Sequence, residues 1–229
     1  GHMGLVGSSL FRKFKKEGYT NIIGLTSKEL DLRNQALVNE FFQINKPDYV
    51  IHAAGKVGGI KANNTYRAEF IYENLQIQNA VLNSAADLDI PNLIFLGSSC
   101  IYPRLAPQPI TEDSLLSGPL EPTNEGYALA KIVGLKLCNA IHKDLGLNYF
   151  SLMPTNLYGP NDNFSLEDGH VPAALMRRFH EAKMTNQNSV KVWGSGNPKR
   201  EFMHVDDLAN ACWFLAEKNL GGELINIGT

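Results

Sequence analysis

Short apolar runs alternate with amphipathic segments along the chain, and this alternation constrains the fold more than any other feature of the sequence. Residues 49–54, 92–96 and 149–153 form runs without a charged residue, which is typical of parallel strands that are buried on both faces. The segments between them repeat apolar residues at helical spacing. The sequence therefore predicts an α/β fold, in which a doubly wound parallel sheet carries helices on both faces.

The predicted elements follow this alternation. Strands are expected at residues 21–25, 49–54, 92–96, 149–153 and 190–192, and in the closing run of residues 221–229. Helices are expected at residues 8–17, 34–43, 69–87, 127–145, 173–183 and 206–218. The chain starts within a glycine-rich turn and stops on a strand. We therefore expect residues to be missing at both ends, and the intact protein to exceed 25.3 kDa.

The composition excludes several classes of protein. Hydrophobic residues make up 44% of the 229 residues and charged residues 19%, which is typical of a globular chain. The net charge of −2 predicts no attraction to nucleic acid or to an anionic membrane. No apolar run is long enough to span a bilayer, and no signal peptide is recognisable. The three cysteines lack Cys-x-x-Cys spacing, so we expect no metal site and a reducing, cytoplasmic location.

A glycine-rich motif, Gly1-x-x-Gly4-x-x-Gly7, precedes the first predicted helix. Its glycines allow a tight turn, and the N–H groups at the start of the helix attract a pyrophosphate. The motif predicts a Rossmann-type dinucleotide site, with Leu5 and Val6 in the same turn. Alternatively, Gly-His-Met at the start is the remnant of a cleaved expression tag.

Two further segments follow predicted strands. The carboxylate in Asp31-Leu32 can accept a hydrogen bond from adenine, or it can cap the helix at residues 34–43. His52-Ala53-Ala54-Gly55 has small residues that let a dinucleotide lie against the sheet, or that let a helix pack closely on the strand. Both segments fit a dinucleotide site, and both have an ordinary structural alternative.

Two further motifs predict a site for proton transfer. Ser98-Ser99-Cys100 follows a buried strand, and Tyr127-x-x-x-Lys131 begins a helix. The i, i+4 spacing places Tyr127 and Lys131 on one face of the helix. A nearby ammonium is expected to lower the pKa of the phenol, which then transfers a proton at neutral pH. Ser98 can bind the same substrate oxygen, and Lys131 can also hold the nicotinamide ribose.

This order of motifs resembles that of the extended short-chain dehydrogenase/reductases. Within them, the chain is similar to the GDP-L-fucose synthase family of 3,5-epimerase/4-reductases. The similarity is carried by Lys56-Val-Gly-Gly-Ile-Lys-Ala-Asn63, Gly97-Ser-Ser-Cys-Ile-Tyr-Pro103, Pro154-Thr-Asn-Leu-Tyr-Gly-Pro160 with Asp162-Asn-Phe164, Gly169-His-Val171, Val192-Trp-Gly-Ser-Gly196 and Arg200-Glu-Phe-Met-His-Val-Asp-Asp207. These stretches run nearly from end to end of the chain.

The resemblance implies that Cys100 and His170 exchange protons with a keto sugar, and that Ser98, Tyr127 and Lys131 catalyse its reduction. Thiolate character at Cys100 would require positive potential from Lys131 or from a protonated His170. The residues by themselves also allow a buried packing thiol at Cys100 and a helix-capping histidine at position 170. The other two cysteines, at positions 138 and 212, are interpreted as packing residues.

The resemblance also implies that Asn156, Arg178, Trp193 and Arg200 bind the substrate. Arginine suits bidentate pairing with a diphosphate, and tryptophan offers a flat face to a base. One of Arg177 and Arg178 is expected to be a solvated helix residue. Trp193 can equally be a core residue, and Asn156 can equally form a turn.

The cofactor implied by the resemblance is NADP(H). Some relatives carry arginines in the glycine turn and after the second strand, where the 2′-phosphate binds; here those places hold Met3 and Thr26-Ser27-Lys28. Ser27 and Lys28 can still bind a phosphate, and no acidic residue directly follows the strand end, so NADPH is expected. The predicted cofactor-binding residues are Gly1, Gly4, Leu5, Val6, Gly7, Ser27, Lys28, Asp31, Leu32, Ala53, Ala54, Gly55, Leu96, Gly97, Ser98, Ser99, Tyr127, Lys131, Pro154, Thr155, Asn156, Leu157 and His170.

For the whole protein, the resemblance implies conversion of GDP-4-keto-6-deoxy-D-mannose to GDP-L-fucose. The alternatives are a related enzyme for another keto-deoxy sugar, such as that of GDP-colitose synthesis, and a non-catalytic nucleotide-binding module. Residues 1–160, with 201–218 packing back on them, are expected to form the NADP-binding domain. Residues 161–200 and 219–229 are expected to belong to a smaller substrate-binding lobe. A homodimer through the helices at 69–87 and 127–145 is also implied.

Overall fold

Helices and strands alternate in a computed structural model that describes residues 1–166, 169–192 and 194–229. The helices are α1 (Leu5–Lys16), α2 (Gln35–Asn45), α3 (Ile60–Thr65), α4 (Arg67–Asp87), α5 (Glu125–Leu145), α6 (Val171–Met184) and α7 (Val205–Ala216), with single 3₁₀ turns at Ser99–Ile101 and Glu112–Ser114. The strands are β1 (Tyr49–His52), β2 (Asn92–Leu96), β3 (Asn148–Pro154), β4 (Asn156–Tyr158), β5 (Phe202–His204) and β6 (Leu224–Ile227). The predicted α/β class is confirmed.

The main sheet has the strand order β1-β2-β3-β6, and its neighbouring strands are parallel. The register places Ile94 of β2 between Ile51 of β1 and Phe150 of β3. A small second sheet pairs β4 with β5, also in parallel. Because parallel strands point the same way, the carboxyl ends of β1, β2 and β3 meet at one edge of the main sheet.

Strand β2 shows why the apolar runs have no polar alternation. Leu93 and Phe95 pack into a core cluster with side chains of α2, α4 and α5. Ile94 and Leu96 point to the other face and pack with side chains of α1 and α7. Both faces of the strand are therefore covered, and each fully buried side chain of this size contributes roughly 1.5–3 kcal/mol to stability.

Helix α5 approaches the sheet closely. A Cβ on Gly134 would overlap the ring of Phe95, so the absence of a side chain there lets the helix lie directly on β2. The side-chain amide of Gln78 in α4 donates a hydrogen bond to the carbonyl oxygen of Ala130 in α5 at 2.7 Å. These contacts fix the height and rotation of α5 over the sheet. Within the described ranges, no helix has the length and hydropathy of a membrane span.

Two predicted strands are wrong. Residues 21–25 and 190–192 have no ladder of hydrogen bonds to a neighbouring strand, and a strand requires such a partner. Residues 21–25 lie instead against the glycine turn, where His2 Nδ1 is 3.2 Å from the carbonyl oxygen of Leu25. The elements α3, β4 and β5 were not predicted, because they are too short to show a periodic pattern.

Candidate active site

Most of the predicted cofactor-binding residues lie at the carboxyl edge of the main sheet. Ala53, Ala54 and Gly55 follow β1, and Pro154 closes β3. Leu96 closes β2, and Gly97, Ser98 and Ser99 continue from it into the 3₁₀ turn. Thr155 comes next after β3, and its N–H donates a hydrogen bond to the carbonyl oxygen of Ile227 at 3.0 Å. Asn156 and Leu157 belong to β4. The parallel sheet thus brings three distant parts of the chain together.

The glycine turn has the geometry that a dinucleotide requires. A Cβ on Gly1 would overlap the carbonyl oxygen of Ala53, and a Cβ on Gly7 would overlap that of Gly1. Gly4 occupies the N-cap of α1 with extended backbone, and the first turn, which contains Leu5 and Val6, has no acidic residue. The start of α1 therefore combines backbone donors with a partial positive charge. These residues fit the pyrophosphate of NADP(H).

Two residues, Asp31 and Leu32, are predicted to bind the adenine end of the cofactor. The carboxylate of Asp31 pairs with the guanidinium of Arg33 at 2.8 Å, which lowers the pKa of Asp31 to about 2. The capping alternative for Asp31 is wrong, because Asn34 caps α2 with hydrogen bonds from Ala36 N and Leu37 N. Leu32 packs against the core. Binding of adenine by Asp31 stays a prediction.

Ser98 and Cys100 share the 3₁₀ turn after β2. The hydroxyl of Ser98 accepts a hydrogen bond from the backbone N–H of Cys100 at 3.4 Å. Cys100 as a whole residue is partly exposed, whereas Cys138 and Cys212 are buried packing residues in α5 and α7, as predicted. The turn therefore presents a hydroxyl and a thiol side by side at the sheet edge.

Tyr127 and Lys131 lie on the face of α5 that covers this turn. The Lys131 ammonium is buried and donates a hydrogen bond to the carbonyl oxygen of Leu96 at 2.9 Å. Its Nζ lies 4.9 Å from the centroid of the Phe95 ring and 5.8 Å from that of Tyr127. The Tyr127 ring also meets Phe70 edge-on, with centroids 6.4 Å apart. The phenol and the ammonium are thus held by aromatic packing.

Burial changes the acid–base state of these groups. Burial raises the pKa of Tyr127, and the neighbouring Cys100 raises it further. The expected lowering of this pKa is therefore wrong for the protein alone, because loss of water around the phenol disfavours its charged form. Burial also raises the pKa of Cys100 to about 11, against the hydrogen bond from Ser98 and the charge of Lys131. Both groups are protonated at neutral pH, and the charge of Lys131 does not give Cys100 thiolate character in the protein alone.

The protonation of Lys131 is expected to make the rate of reduction depend on pH. Burial lowers the pKa of Lys131 to about 8, against an opposing effect of Cys100. The ammonium is present below this pH and lost above it, so we expect kcat/KM for reduction to fall as the pH rises through about 8. Initial rates across the neutral and alkaline range measure this. Lys136→Met, on the exposed side of α5, is the control that should leave the profile unchanged, and a flat profile well above pH 8 would contradict the prediction.

His170 occupies the N-cap of α6, but its side chain caps no helical N–H. The capping alternative is therefore wrong. Its Nδ1 lies 4.0 Å from the carboxylate of Asp162, whose side chain is almost fully buried. Among the described residues no hydrogen bond joins His170 to Cys100 or Tyr127, so convergence of these three groups stays a prediction.

The predicted substrate residues lie in the second half of the chain. Asn156 donates a hydrogen bond to the carbonyl oxygen of Glu201 at 3.0 Å, next to Arg200. Arg178 is partly buried and donates to the carbonyl oxygen of Leu166 at 3.3 Å. Arg177 pairs with Glu181 on the solvent side of α6, which makes it the solvated member of the arginine pair. Trp193 lies outside the described residues.

Asn74 of α4 is a site residue that the sequence did not reveal. This side chain is buried and bonds both backbone groups of Lys56, accepting from its N–H and donating to its carbonyl oxygen, each at 3.0 Å. A Cβ on Gly55 would lie 2.8 Å from Asn74 Oδ1 and 3.8 Å from Lys131 Nζ. Asn74 thus holds the loop that faces the Lys131 ammonium. The available signal was an amide on the buried face of α4, four residues after Phe70.

Comparisons with known proteins give consistent matches. Residues 1–228 match the model of the NAD dependent epimerase/dehydratase family. The chain is 58% identical over 229 residues to GDP-L-fucose synthase 1 of Arabidopsis thaliana and covers 71% of it. It is 41% identical over 212 residues to GDP-L-colitose synthase of Yersinia pseudotuberculosis, covering 92% of this chain and 68% of that protein. The whole chain superposes on 75% of a GDP-L-fucose synthetase from Naegleria fowleri bound to NADP, with a TM-score of 0.89 and 33% identity.

Proposed function

The chain belongs to the NAD dependent epimerase/dehydratase family, and from this we propose that it converts GDP-4-keto-6-deoxy-D-mannose to GDP-L-fucose. The conversion combines epimerisation at C3 and C5 with NADPH-dependent reduction at C4. The observation that carries the proposal is the joint placement of Ser98, Cys100, Tyr127 and Lys131 around the carboxyl end of β2. Reduction requires only Ser98, Tyr127 and Lys131. The thiol of Cys100 is the additional group, and it can exchange protons for epimerisation.

The reduction uses the groups on α5 and the 3₁₀ turn. NADPH supplies the hydride when it is bound along the glycine turn. Tyr127 is held protonated by burial, which is the form that donates a proton to the forming C4 alkoxide. Ser98 donates a hydrogen bond to the same oxygen, and the Lys131 ammonium stabilises negative charge developing there. The hydrogen bond to Leu96 keeps Lys131 pointing at this position.

The epimerisation needs an acid and a base on opposite faces of the sugar ring. The C4 ketone makes the hydrogens at C3 and C5 acidic, because removing one of them gives an enolate. We assign this proton exchange to Cys100 and His170, with one group removing a proton and the other returning it. Asp162 supports this assignment, because its carboxylate lies 4.0 Å from His170 Nδ1 and can orient the imidazole ring.

The residues that we propose to bind the substrate lie in the second half of the chain. Arg178 and Arg200 suit the diphosphate, Asn156 suits a sugar hydroxyl, and Trp193 suits the guanine or its ribose. Residues 161–200 would then form part of the substrate lobe, and residues 1–160 with 201–218 the NADP-binding domain. The expected place of residues 219–229 in the lobe is wrong for residues 224–227, because they pair with β3 in the main sheet as β6. Packing of α7 against α1 through buried Leu208 and Leu10 supports this division.

We also propose that the protein is a homodimer and that it is located in the cytoplasm. Exposed apolar side chains lie on the two long helices, with Tyr72 on α4 and Leu129 and Val133 on α5. Burial of these side chains against a second copy would remove apolar surface from water. The three cysteines are free thiols, which supports a reducing compartment.

Synthesis of GDP-colitose is a second candidate, favoured by the 41% identity to GDP-L-colitose synthase. The two substrates differ at C3, where the colitose precursor has no hydroxyl. Rates with each keto sugar at equal concentration distinguish them. A clear preference for the 3-deoxy substrate would replace the first proposal with the second.

One incubation tests the function. GDP-4-keto-6-deoxy-D-mannose and NADPH are incubated with the protein in deuterated water, and the product is identified by NMR. The expected product is GDP-L-fucose with deuterium at C3 and C5 and hydride-derived hydrogen at C4. Oxidation of NADPH without deuterium at C3 and C5 would reduce the assignment to a C4 reductase. Cofactor binding without any turnover of keto sugars would favour the non-catalytic module.

A further inference from the structure

The turn after residues 21–25 carries the carboxylate of Glu29. Glu29 Oε2 accepts hydrogen bonds from the backbone N–H of Thr26 at 2.8 Å and from its hydroxyl at 2.7 Å. The backbone N–H of Glu29 in turn donates to the carbonyl oxygen of Thr26 at 3.0 Å, so these two residues close a single turn. No acidic residue directly follows residue 25 in the sequence, but Glu29 folds back onto Thr26 and brings a carboxylate to this position.

This turn adjoins the glycine motif. His2 Nδ1 lies 3.2 Å from the carbonyl oxygen of Leu25, and a Cβ on Gly24 would lie 2.6 Å from the His2 ring. In Rossmann-type sheets the residue that reads the ribose 2′ position follows the second strand, about 20 residues after the glycines. Residues 21–25 hold the corresponding place along this chain, although they pair with no neighbouring strand, and Glu29 stands 22 residues after Gly7. This spacing and the contact of the turn with His2 place the carboxylate near the expected 2′ position of the cofactor.

The charges at this position oppose each other. Ser27 and Lys28 are exposed, and within the part of the chain that the structure describes neither has a hydrogen-bond or ion-pair partner. The hydrogen bonds from the Thr26 backbone and hydroxyl lower the pKa of Glu29, so its carboxylate is ionised at neutral pH. It occupies two donors that a phosphate would use, and it adds negative charge beside the phosphate position.

Resting on the cofactor of the proposed function, we propose that Glu29 limits the preference of this chain for NADPH over NADH. Its carboxylate repels the 2′-phosphate that Ser27 and Lys28 attract. The 2′-hydroxyl of NADH carries no charge and can donate a hydrogen bond to the same carboxylate. Lys28 and Glu29 therefore shift the ratio of the two affinities in opposite directions.

Glu29→Gln separates the charge from the turn, because the amide oxygen of glutamine still accepts the N–H of Thr26. We expect the Kd of NADP⁺, measured by calorimetry, to fall about three-fold, the size for screened charges several ångströms apart in water. The Kd of NAD⁺ should stay unchanged or rise slightly. The fragments 2′,5′-ADP and 5′-AMP should show the same contrast. Lys28→Met should raise the Kd of NADP⁺ and leave that of NAD⁺ unchanged.

Three controls make the result decisive. Glu40→Gln on the exposed side of α2 removes the same charge far from this turn and should change neither affinity. The gain in NADP⁺ affinity should shrink as salt is added, and the Tm of Glu29→Gln should match that of the wild type. An unchanged affinity ratio, or an equal change in both affinities, overturns the proposal. Keto-sugar turnover with an unchanged ratio rejects only this inference, whereas a shifted ratio without turnover rejects only the proposed function.

Discussion

Tyr127→Phe is expected to lower kcat for reduction at C4 by about 10²–10⁴-fold, the range for removal of a general acid. The substitution removes one hydroxyl and keeps the ring that packs edge-on against Phe70. The fold and the Lys131 hydrogen bond should therefore survive. Oxidation of NADPH, followed by its absorbance with saturating keto sugar, measures the loss.

Two further measurements show whether the loss belongs to the proton transfer. The Kd of NADP⁺ should change little in Tyr127→Phe, and deuterium should still enter at C3 and C5, because that exchange is assigned to other groups. Tyr72→Phe removes a hydroxyl from an exposed tyrosine on α4 and should leave kcat unchanged. A Tyr127→Phe protein that retains a tenth or more of the wild-type kcat would show that another group protonates the alkoxide.

Cys100→Ser is expected to reduce deuterium uptake at C3 and C5 by about 10²–10⁴-fold while leaving the binding of NADP⁺ nearly unchanged. Serine keeps the size and the hydrogen bond to Ser98, but it is a far weaker acid than a thiol. Reduction at C4 depends on Tyr127 and Lys131, so slow reduction without inversion is the expected remaining activity. NMR of the product in deuterated water measures both events.

The matched control is Cys212→Ser, which changes a fully buried thiol in α7 and should leave exchange intact in the folded protein. His170→Asn should block the same exchange as Cys100→Ser, because the two groups act as a pair. Undiminished deuterium uptake in Cys100→Ser would remove the thiol from the mechanism. The remaining site would then be that of a reductase only.

Sequence patterns were reliable where a single element carries the information. The apolar run of β2 predicted a strand buried on both faces, and the structure confirms this at Leu93, Ile94, Phe95 and Leu96. The long helices α4 and α5 were predicted within two residues of their bounds. The strand follows from an unbroken apolar run and the helices from their periodicity, and both patterns are local properties of the chain.

The same reasoning failed where a partner was needed. Residues 21–25 have strand-like composition but no neighbouring strand to pair with. Glu29 stands after the predicted strand end in sequence, yet its carboxylate returns to Thr26 in space. Asn74 reads as one polar residue of a helix until its contacts with Lys56 are seen.

The sequence by itself determined the α/β class and the set of chemical groups available for catalysis, because spacing and residue type are written along the chain. Only the tertiary structure decided the protonation states of Tyr127, Cys100 and Lys131. These depend on desolvation and on charges across space, which the close packing of α5 on β2 sets. Spacing within a helix brings a phenol and an ammonium together, but the loss of water around them decides the pH at which each gives up its proton.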